Sequence, residues 1–319
     1  MENISKLIEF KTFGEMIKRL PDDTACREYL EDLRWGKTPV CPHCGVIDEN
    51  HYKLKVKGEF KGKYKCKTCR TPFTVTIGTM FEGSHIGLKN WFIAMFLFSA
   101  HKKGVSSHQL ADDLGITQKS AWFMLGRIRE AFKSKGNRKK IFGVVSVDEC
   151  FVGGKNRNRH QDKKVEACQG RSYKDKTPVF GLMNYKGDIH TQVVPNTQAE
   201  TLKPIIKEMV EDGSILVTDE WMAYNGLEDN YKRIVVKHNE GNYASGAFSS
   251  NNVENFWSHL KRGIYGIYHQ VSPQHLHRYC NEFEFRFNTR HIASNARFDL
   301  SLKKTENVRL TYKRLIGKE

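Results

Sequence analysis

The sequence predicts an α/β chain whose C-terminal half is a mixed-sheet domain, preceded by a small cysteine-bearing hairpin module and a pair of short helices. Three observations predict it. Two Cys-x-x-Cys pairs sit on hairpin-like segments between residues 38 and 79. Apolar residues then recur at helical spacing as far as Phe132. Past a basic linker, Ser134 to Lys140, the pattern changes to short β-branched runs, two of which end in acidic residues. The boundaries follow these changes: an N-terminal helical segment at 1–36, the cysteine module at 37–80, the helical pair at 84–135, the mixed-sheet domain at 140–295 and a basic tail at 296–319.

Bulk properties narrow the partners. At 319 residues the chain has room for two or three small domains, and 39% apolar with 11% aromatic residues is enough for real cores. Lys and Arg total 52 against 36 Asp and Glu, a formal charge of +16. Such an excess on a folded chain points to a polyanion, although charge alone does not separate DNA from RNA or an acidic membrane. Met1 to Met16 lacks the apolar core of a secretory signal. The longest apolar run, Trp91 to Ala100, is half of what a bilayer needs. A soluble cytoplasmic protein is expected, and in a reducing compartment paired cysteines mean metal rather than disulfides.

The N-terminal segment reads as packing material: Phe13, Met16, Ile17 and Leu20 are at helical spacing, and Ala25 to Leu33 forms a second turn or two. In the cysteine module, Cys41-Pro-His-Cys44 and Cys66-Lys-Thr-Cys69 flank alternating residues such as Tyr52, Leu54, Val56, Phe60 and Tyr64. Two tight knuckles can chelate one ion in a tetrahedral sulfur cage, which identifies a zinc ribbon with Cys41, Cys44, Cys66 and Cys69 as ligands. Four protein ligands leave no open position, so the zinc is structural. The 21 residues between the pairs exceed the usual spacing by one, which a longer hairpin absorbs. His43 is expected in solvent, and Cys26, Cys150, Cys168 and Cys280 as ordinary thiols.

Leu88 to Ala100 reads as an apolar helix. The stretch from Val105 to Phe132 then carries a helix-turn-helix pattern: Ser106 or Ser107 caps the first helix, Gly115 permits the turn and Thr117 caps the second. Gln118, Lys119 and Ser120 fall near the N-terminal end of that second helix, where a recognition helix meets base edges.

In the C-terminal half, Ile141 to Asp148, Val179 to Tyr185 and Ile189 to Val194 read as strands. They are followed by a helix at Thr201 to Val210, strands at Ile215 to Thr218 and Ile234 to Val236, and helices at Asn251 to Ile264 and Pro273 to Asn288. That is the element order of a ribonuclease-H-like fold. In it the first and fourth strands are central neighbours, so Asp148 and Asp219 meet at one edge of the sheet. Glu254, 35 positions beyond Asp219, lies on a helix able to reach the same point. Three carboxylates supply hard oxygens for a pair of Mg²⁺ (or Mn²⁺) ions, the arrangement used for in-line displacement at phosphorus. Lys261, two helical turns from Glu254, and its neighbour Arg262 are candidates to hold a substrate phosphate. Glu149 and Glu220 are alternative ligands, but strand alternation turns them away from their neighbours, toward outer or surface positions. Glu282 and Glu284 read as surface charges, and Trp221, Tyr224, Phe256 and Trp257 as core. Lys155 to Lys176 holds eight Lys/Arg against three Asp/Glu, so Lys155, Arg157 and Arg159 are candidate phosphate contacts.

Val-Asp148-Glu, Thr-Asp219-Glu-Trp and Asn251-Asn-Val-Glu254-Asn-Phe-Trp-Ser-His-Leu-Lys261-Arg-Gly resemble the three catalytic motifs of Asp-Asp-Glu insertion-sequence transposases. With the zinc ribbon, the chain is similar to the group numbered 1595 among bacterial insertion sequences, related to Merlin elements, over roughly residues 20 to 295. The resemblance implies catalytic roles for Asp148, Asp219 and Glu254. It also implies binding to terminal inverted repeats, cleavage at the element ends and joining of the 3′-hydroxyl to target DNA. A dimer or larger assembly on double-stranded DNA, in a bacterial cytoplasm at the nucleoid, is expected. The rivals are a non-catalytic DNA-binding regulator and a nuclease on the same fold.

Overall fold

The computed structural model describes residues 10–133, 140–153, 160–166, 175–236, 244–245, 248–249 and 251–318. The chain divides into two units, Met1–Phe132 with His291–Glu319, and Lys133–Arg290.

The first unit opens with helices α1 (Phe13–Arg19) and α2 (Asp23–Trp35), capped by the Thr12 and Asp22 side chains. A three-stranded antiparallel sheet follows, β1 (Tyr52–Val56), β2 (Glu59–Lys65) and β3 (Pro72–Phe73) in that order. Helix α3 (Leu88–Ala100) is buried on most of its circumference, as its nearly unbroken apolar sequence requires. Among the described residues no helix is long and apolar enough to cross a membrane. Helices α4 (Ser107–Leu114) and α5 (Gln118–Ala131) meet at Gly115, whose φ of 62° is the left-handed conformation the turn demands. Ser106 and Thr117 cap them through Gln109 N and Ser120 N.

The residues beyond 290 return to this unit. Helix α9 (Ser294–Lys303) brings Phe298 into an aromatic cluster with Phe10, Tyr29, Phe92 and Phe96. Helix α10 (Tyr312–Leu315) lies against α5, with Tyr312 edge-on to Phe123 and Leu315 filling the space left by Gly126.

The second unit is a five-stranded mixed sheet with helices on both faces. Its strands are β4 (Val144–Val152), β5 (Thr177–Asn184), β6 (Ile189–Val193), β7 (Ile215–Thr218) and β8 (Lys232–Val235), in the order β6-β5-β4-β7-β8. The first three are antiparallel and the last two run parallel to β4. This is the order expected of a ribonuclease-H-like sheet. Helix α6 (Ala199–Met209) covers one face, packing Leu202, Ile205 and Ile206 on Val145, Val147, Phe180, Leu182 and Leu216. Helices α7 (Asn251–Gly263) and α8 (Pro273–Asn288) cover the other, where Val253, Phe256, Trp257 and Leu260 meet Cys150, Val179 and Met183. A short pair, β9 (Ala244–Ser245) and β10 (Phe248–Ser249), precedes α7.

Two expectations are corrected here. β4 does not end at Asp148: it runs on to Val152, paired with β5 alone after β7 stops. Glu282 and Glu284 are not surface charges. Glu282 is fully buried, paired with Arg286 and accepting from Tyr268. Glu284 accepts from Thr191 N at 3.0 Å and Thr191 Oγ1 at 3.1 Å. An acidic residue between phenylalanines reads as surface on a helix, but α8 is buried over enough of its girth to need internal partners for both.

Candidate active site and metal centres

The parallel pairing of β4 with β7 builds the acidic centre. Ser146 is aligned with Val217, and this register brings Asp148, two residues on along β4, beside Asp219, the first residue past the end of β7. Carboxylate oxygens of Asp148, Glu149 and Asp219 all fall within 4.8 Å of one another. Alternation does send Asp148 and Glu149 to opposite faces, Asp148 toward α7 and Glu149 toward Tyr224 in the core under α6. Past the end of β7, however, β4 is paired on its other edge only, and Glu149 reaches round to its neighbours. Glu149 therefore belongs to the cluster, where alternation alone assigns it an outer position. Glu220 is exposed, as alternation predicts.

Each carboxylate is held. Asp148 Oδ2 accepts the indole N–H of Trp257 at 3.0 Å. Asp219 Oδ1 accepts Trp221 N at 2.9 Å, a tight turn that fixes the side chain. Arg233 braces the backbone there, donating to Thr218 Oγ1 at 3.0 Å, the Asp219 carbonyl at 3.3 Å and Asn225 Oδ1 at 2.7 Å. Tyr224, fully buried, donates its phenolic proton to Glu149; burial and the Glu149 charge push its ionisation well above the ordinary range, so it remains a donor.

Glu254 sits one helical turn before Trp257 on α7, outside the 4.8 Å set but near enough for its charge to act on Asp148. Burial, then the charges of Asp219 and Glu254, raise the Asp148 carboxyl to about 6, against opposing hydrogen bonds from the Glu149 backbone and Trp257. A buried carboxylate crowded by like charges is a fitting seat for a divalent cation, which would relieve the repulsion. Of the two cations further along α7, Lys261 is on the site's side: its ammonium interacts with the thiol of Cys150, two residues from Asp148 on the same strand face. Arg262 is turned to its own helix, donating to the Ser258 carbonyl at 3.1 Å.

The sulfur centre is assembled by two nearly identical turns. Gly45 N donates to the Cys41 carbonyl at 2.9 Å, and Arg70 N to the Cys66 carbonyl at 3.1 Å. The residue after each second cysteine is left-handed, Gly45 at φ 73° and Arg70 at φ 60°. The four Sγ atoms lie within 4.8 Å of one another, with Cys41–Cys69 at 3.7 Å and Cys44–Cys66 at 3.6 Å. A tetrahedron of thiolates around zinc has edges of about 3.8 Å, so the cage fits that ion. Hydrogen bonding from Thr71 lowers the Cys69 thiol to about 6, whereas burial raises Cys41 to about 12. His43 is exposed and takes no part.

Comparison with known proteins decides what these two centres belong to. The family model described as the ISXO2-like transposase domain matches residues 140–288, and that of the transposase zinc-ribbon domain matches residues 21–72. An uncharacterized transposase-like protein of Haemophilus influenzae is 34% identical over 110 residues, covering 34% of this chain and 88% of that protein. The chain belongs to the ISXO2-like transposase family. An uncharacterized protein in transposable element ISH50 of Halobacterium salinarum is 27% identical over 283 residues, 85% of this transposase and 92% of that protein.

In this transposase the residues singled out on the helix-turn-helix occupy the first turn of α5, and Gln118 and Lys119 are exposed. Gln118 Nε2 donates to Ser107 Oγ at 2.9 Å, Ser120 Oγ accepts from Thr117 Oγ1 at 3.0 Å, and Lys119 Nζ lies 5.0 Å over the Tyr312 ring. Lys155, Arg157 and Arg159 lie outside the described residues, as does Cys168. Sequence reasoning sets Glu149 at an outer position, misses Arg233 and treats Tyr224 and Trp257 as core only; Trp257 is buried and also touches Asp148. Its spacing of three from Glu254 is the available signal.

Proposed function

We propose that this transposase binds the terminal inverted repeats of its element, cleaves at the element ends and joins the resulting 3′-hydroxyls to target DNA. The observation that carries the reading is the side-by-side placement of Asp148, on β4, and Asp219, just past the end of the adjacent parallel strand β7, with Glu254 within electrostatic reach. Asp148, Asp219 and Glu254 would hold two Mg²⁺ or Mn²⁺ ions, with Glu149 inside the same cluster. Two such ions supply activation of the attacking oxygen and stabilisation of the leaving one in an in-line displacement.

Both steps exchange one phosphorus–oxygen bond for another. In cleavage, water oxygen bonds to phosphorus, the bond to the 3′ oxygen breaks and a 3′-hydroxyl is released. In joining, that hydroxyl bonds to a target phosphorus and a target 3′ oxygen departs. Lys261 would hold a non-bridging phosphate oxygen beside the acidic centre, and Lys155, Arg157, Arg159 and Arg262 would contact the DNA backbone. Gln118, Lys119 and Ser120 present polar groups to base edges from the start of α5. Cys41, Cys44, Cys66 and Cys69 hold one structural zinc. Two ends must be brought together, so the working form is a dimer or larger on DNA in a bacterial cytoplasm, at the nucleoid.

The test is a strand-transfer assay with Mg²⁺ on DNA bearing the element's ends. Asp148→Asn and Asp219→Asn should each lower cleavage and joining by more than about 100-fold, beyond the usual cost of altering a mere neighbour of a metal site. End binding should persist. Full joining by either variant would refute the site.

A further inference from the structure

We infer that Trp257 is a positioning residue for Asp148, and that Gly181 is glycine because the indole must lie where its side chain would be. The inference rests on the reading of Asp148 as a metal-holding carboxylate. Asp148 is paired across the antiparallel ladder with Gly181 of β5. A Cβ on Gly181 would fall 2.6 Å from Cζ2 and 2.8 Å from Cη2 of Trp257. Gly181 is not in the left-handed region, so its backbone conformation does not require glycine; the indole does.

The ring is clamped. It is 4% exposed, belongs to the core between the sheet and α7, and meets Phe256 in a T-shaped contact at 5.2 Å. An indole has one donor in one direction. A ring that cannot turn therefore fixes the plane of the carboxylate it binds, here through Nε1 to Oδ2 at 3.0 Å. Asp148 is then presented in a single orientation to Asp219 and Glu149. The same helix carries Glu254 one turn earlier, so α7 delivers both an acidic group and the donor that orients its partner.

The test uses the full-length, zinc-loaded protein and Mn²⁺ as probe, with affinity read by calorimetry and electron paramagnetic resonance. Trp257→Phe keeps a ring but loses the donor. Replacement of Trp257 by benzothienylalanine keeps nearly the whole shape and also loses it, which separates the hydrogen bond from packing. Both should weaken Mn²⁺ binding by about 10-fold or more, the usual effect of removing a partner of a metal ligand. kcat should fall while KM for end DNA stays the same. Gly181→Ala, which displaces the indole, should reproduce the loss. In an Asp148→Asn background Trp257→Phe should have no further effect on Mn²⁺ affinity, because the residue acts through Asp148. Unchanged affinity and kcat in the benzothienylalanine protein would overturn the inference, as would an equal loss in the Asp148→Asn background. Mn²⁺ affinity indifferent to Asp148→Asn itself would instead overturn the metal reading on which it stands.

Discussion

The sulfur centre and the acidic centre are both sets of ligand groups gathered within 4.8 Å, yet the chain holds them together by opposite means. The four thiols come from two local turns, each closed by its own backbone hydrogen bonds, with little apolar mass behind them: Tyr64, Phe73, Trp35, Phe60 and Ile77. The carboxylates come from strands and a helix far apart in sequence, and cores on both faces of the sheet fix their positions. A zinc ion in the sulfur cage would therefore be part of the ribbon's structure, whereas the sheet holds its acidic groups together without help from an ion. On the proposed reading, a cation at the acidic centre would serve chemistry rather than folding.

The largest effect expected from this contrast is on zinc. Cys41→Ser, or prolonged chelation, should unfold the ribbon, since structural zinc in small modules contributes on the order of 10 kcal/mol. The sheet domain should remain folded. Hydrogen exchange resolved by segment checks both halves: loss of protection confined to about residues 40–73 supports the contrast, and global loss breaks it.

The second effect concerns stability against pH in the absence of divalent ions. The Asp148 carboxyl is raised from 3.8 to about 6 by burial and by the Asp219 and Glu254 charges. A group raised in the folded state contributes stability below its unfolded value and loses it as pH rises through the folded one. Metal-free protein should lose stability between about pH 4 and 6.5, with a slope of up to about 1.4 kcal/mol per pH unit. Asp148→Asn should flatten that window while abolishing joining, an active-site change that stabilises the protein at neutral pH. Mg²⁺ should raise Tm more at pH 7.5 than at pH 5, because protons compete for the same oxygens. Denaturant titrations of both proteins across the range decide it, and identical pH profiles would count against a strained acidic centre.

The same contrast explains what was legible in the sequence. The Cys-x-x-Cys turns are local, so spacing alone named all four thiols. Asp148 and Asp219 were legible because parallel pairing of two strands carries a register, and each acid follows an apolar run. Glu149 was not, because strand alternation assigns a face but does not say where the neighbouring strand stops. Tyr224 and Arg233 reach the site through side-chain hydrogen bonds that leave no periodic trace. The buried Glu282–Arg286 pair was hidden for a related reason: a helix enclosed by sheet and neighbours places charges where a surface pattern would also put them. The segment from 296 onward reads as a basic tail in sequence, yet it supplies Phe298 to an aromatic core.

The smallest effect tests the local turns themselves. Gly45 and Arg70 occupy equivalent left-handed positions in the two knuckles. Nothing lies within 4 Å of where a Cβ on Gly45 would be, so Gly45→Ala changes only the backbone preference. It should cost about 1 kcal/mol, the penalty of a left-handed residue that is not glycine. Arg70 already bears that penalty and offsets part of it, since its guanidinium donates to Tyr52 Oη at 3.0 Å and lies 5.4 Å over the same ring. Arg70→Gly should therefore shift zinc-loaded stability by less than Gly45→Ala, in the opposite direction or not at all. Calorimetric Tm values of the two variants, taken with zinc bound, measure the difference. A larger loss for Arg70→Gly would mean that the Tyr52 contact, rather than the turn, holds the second knuckle in place.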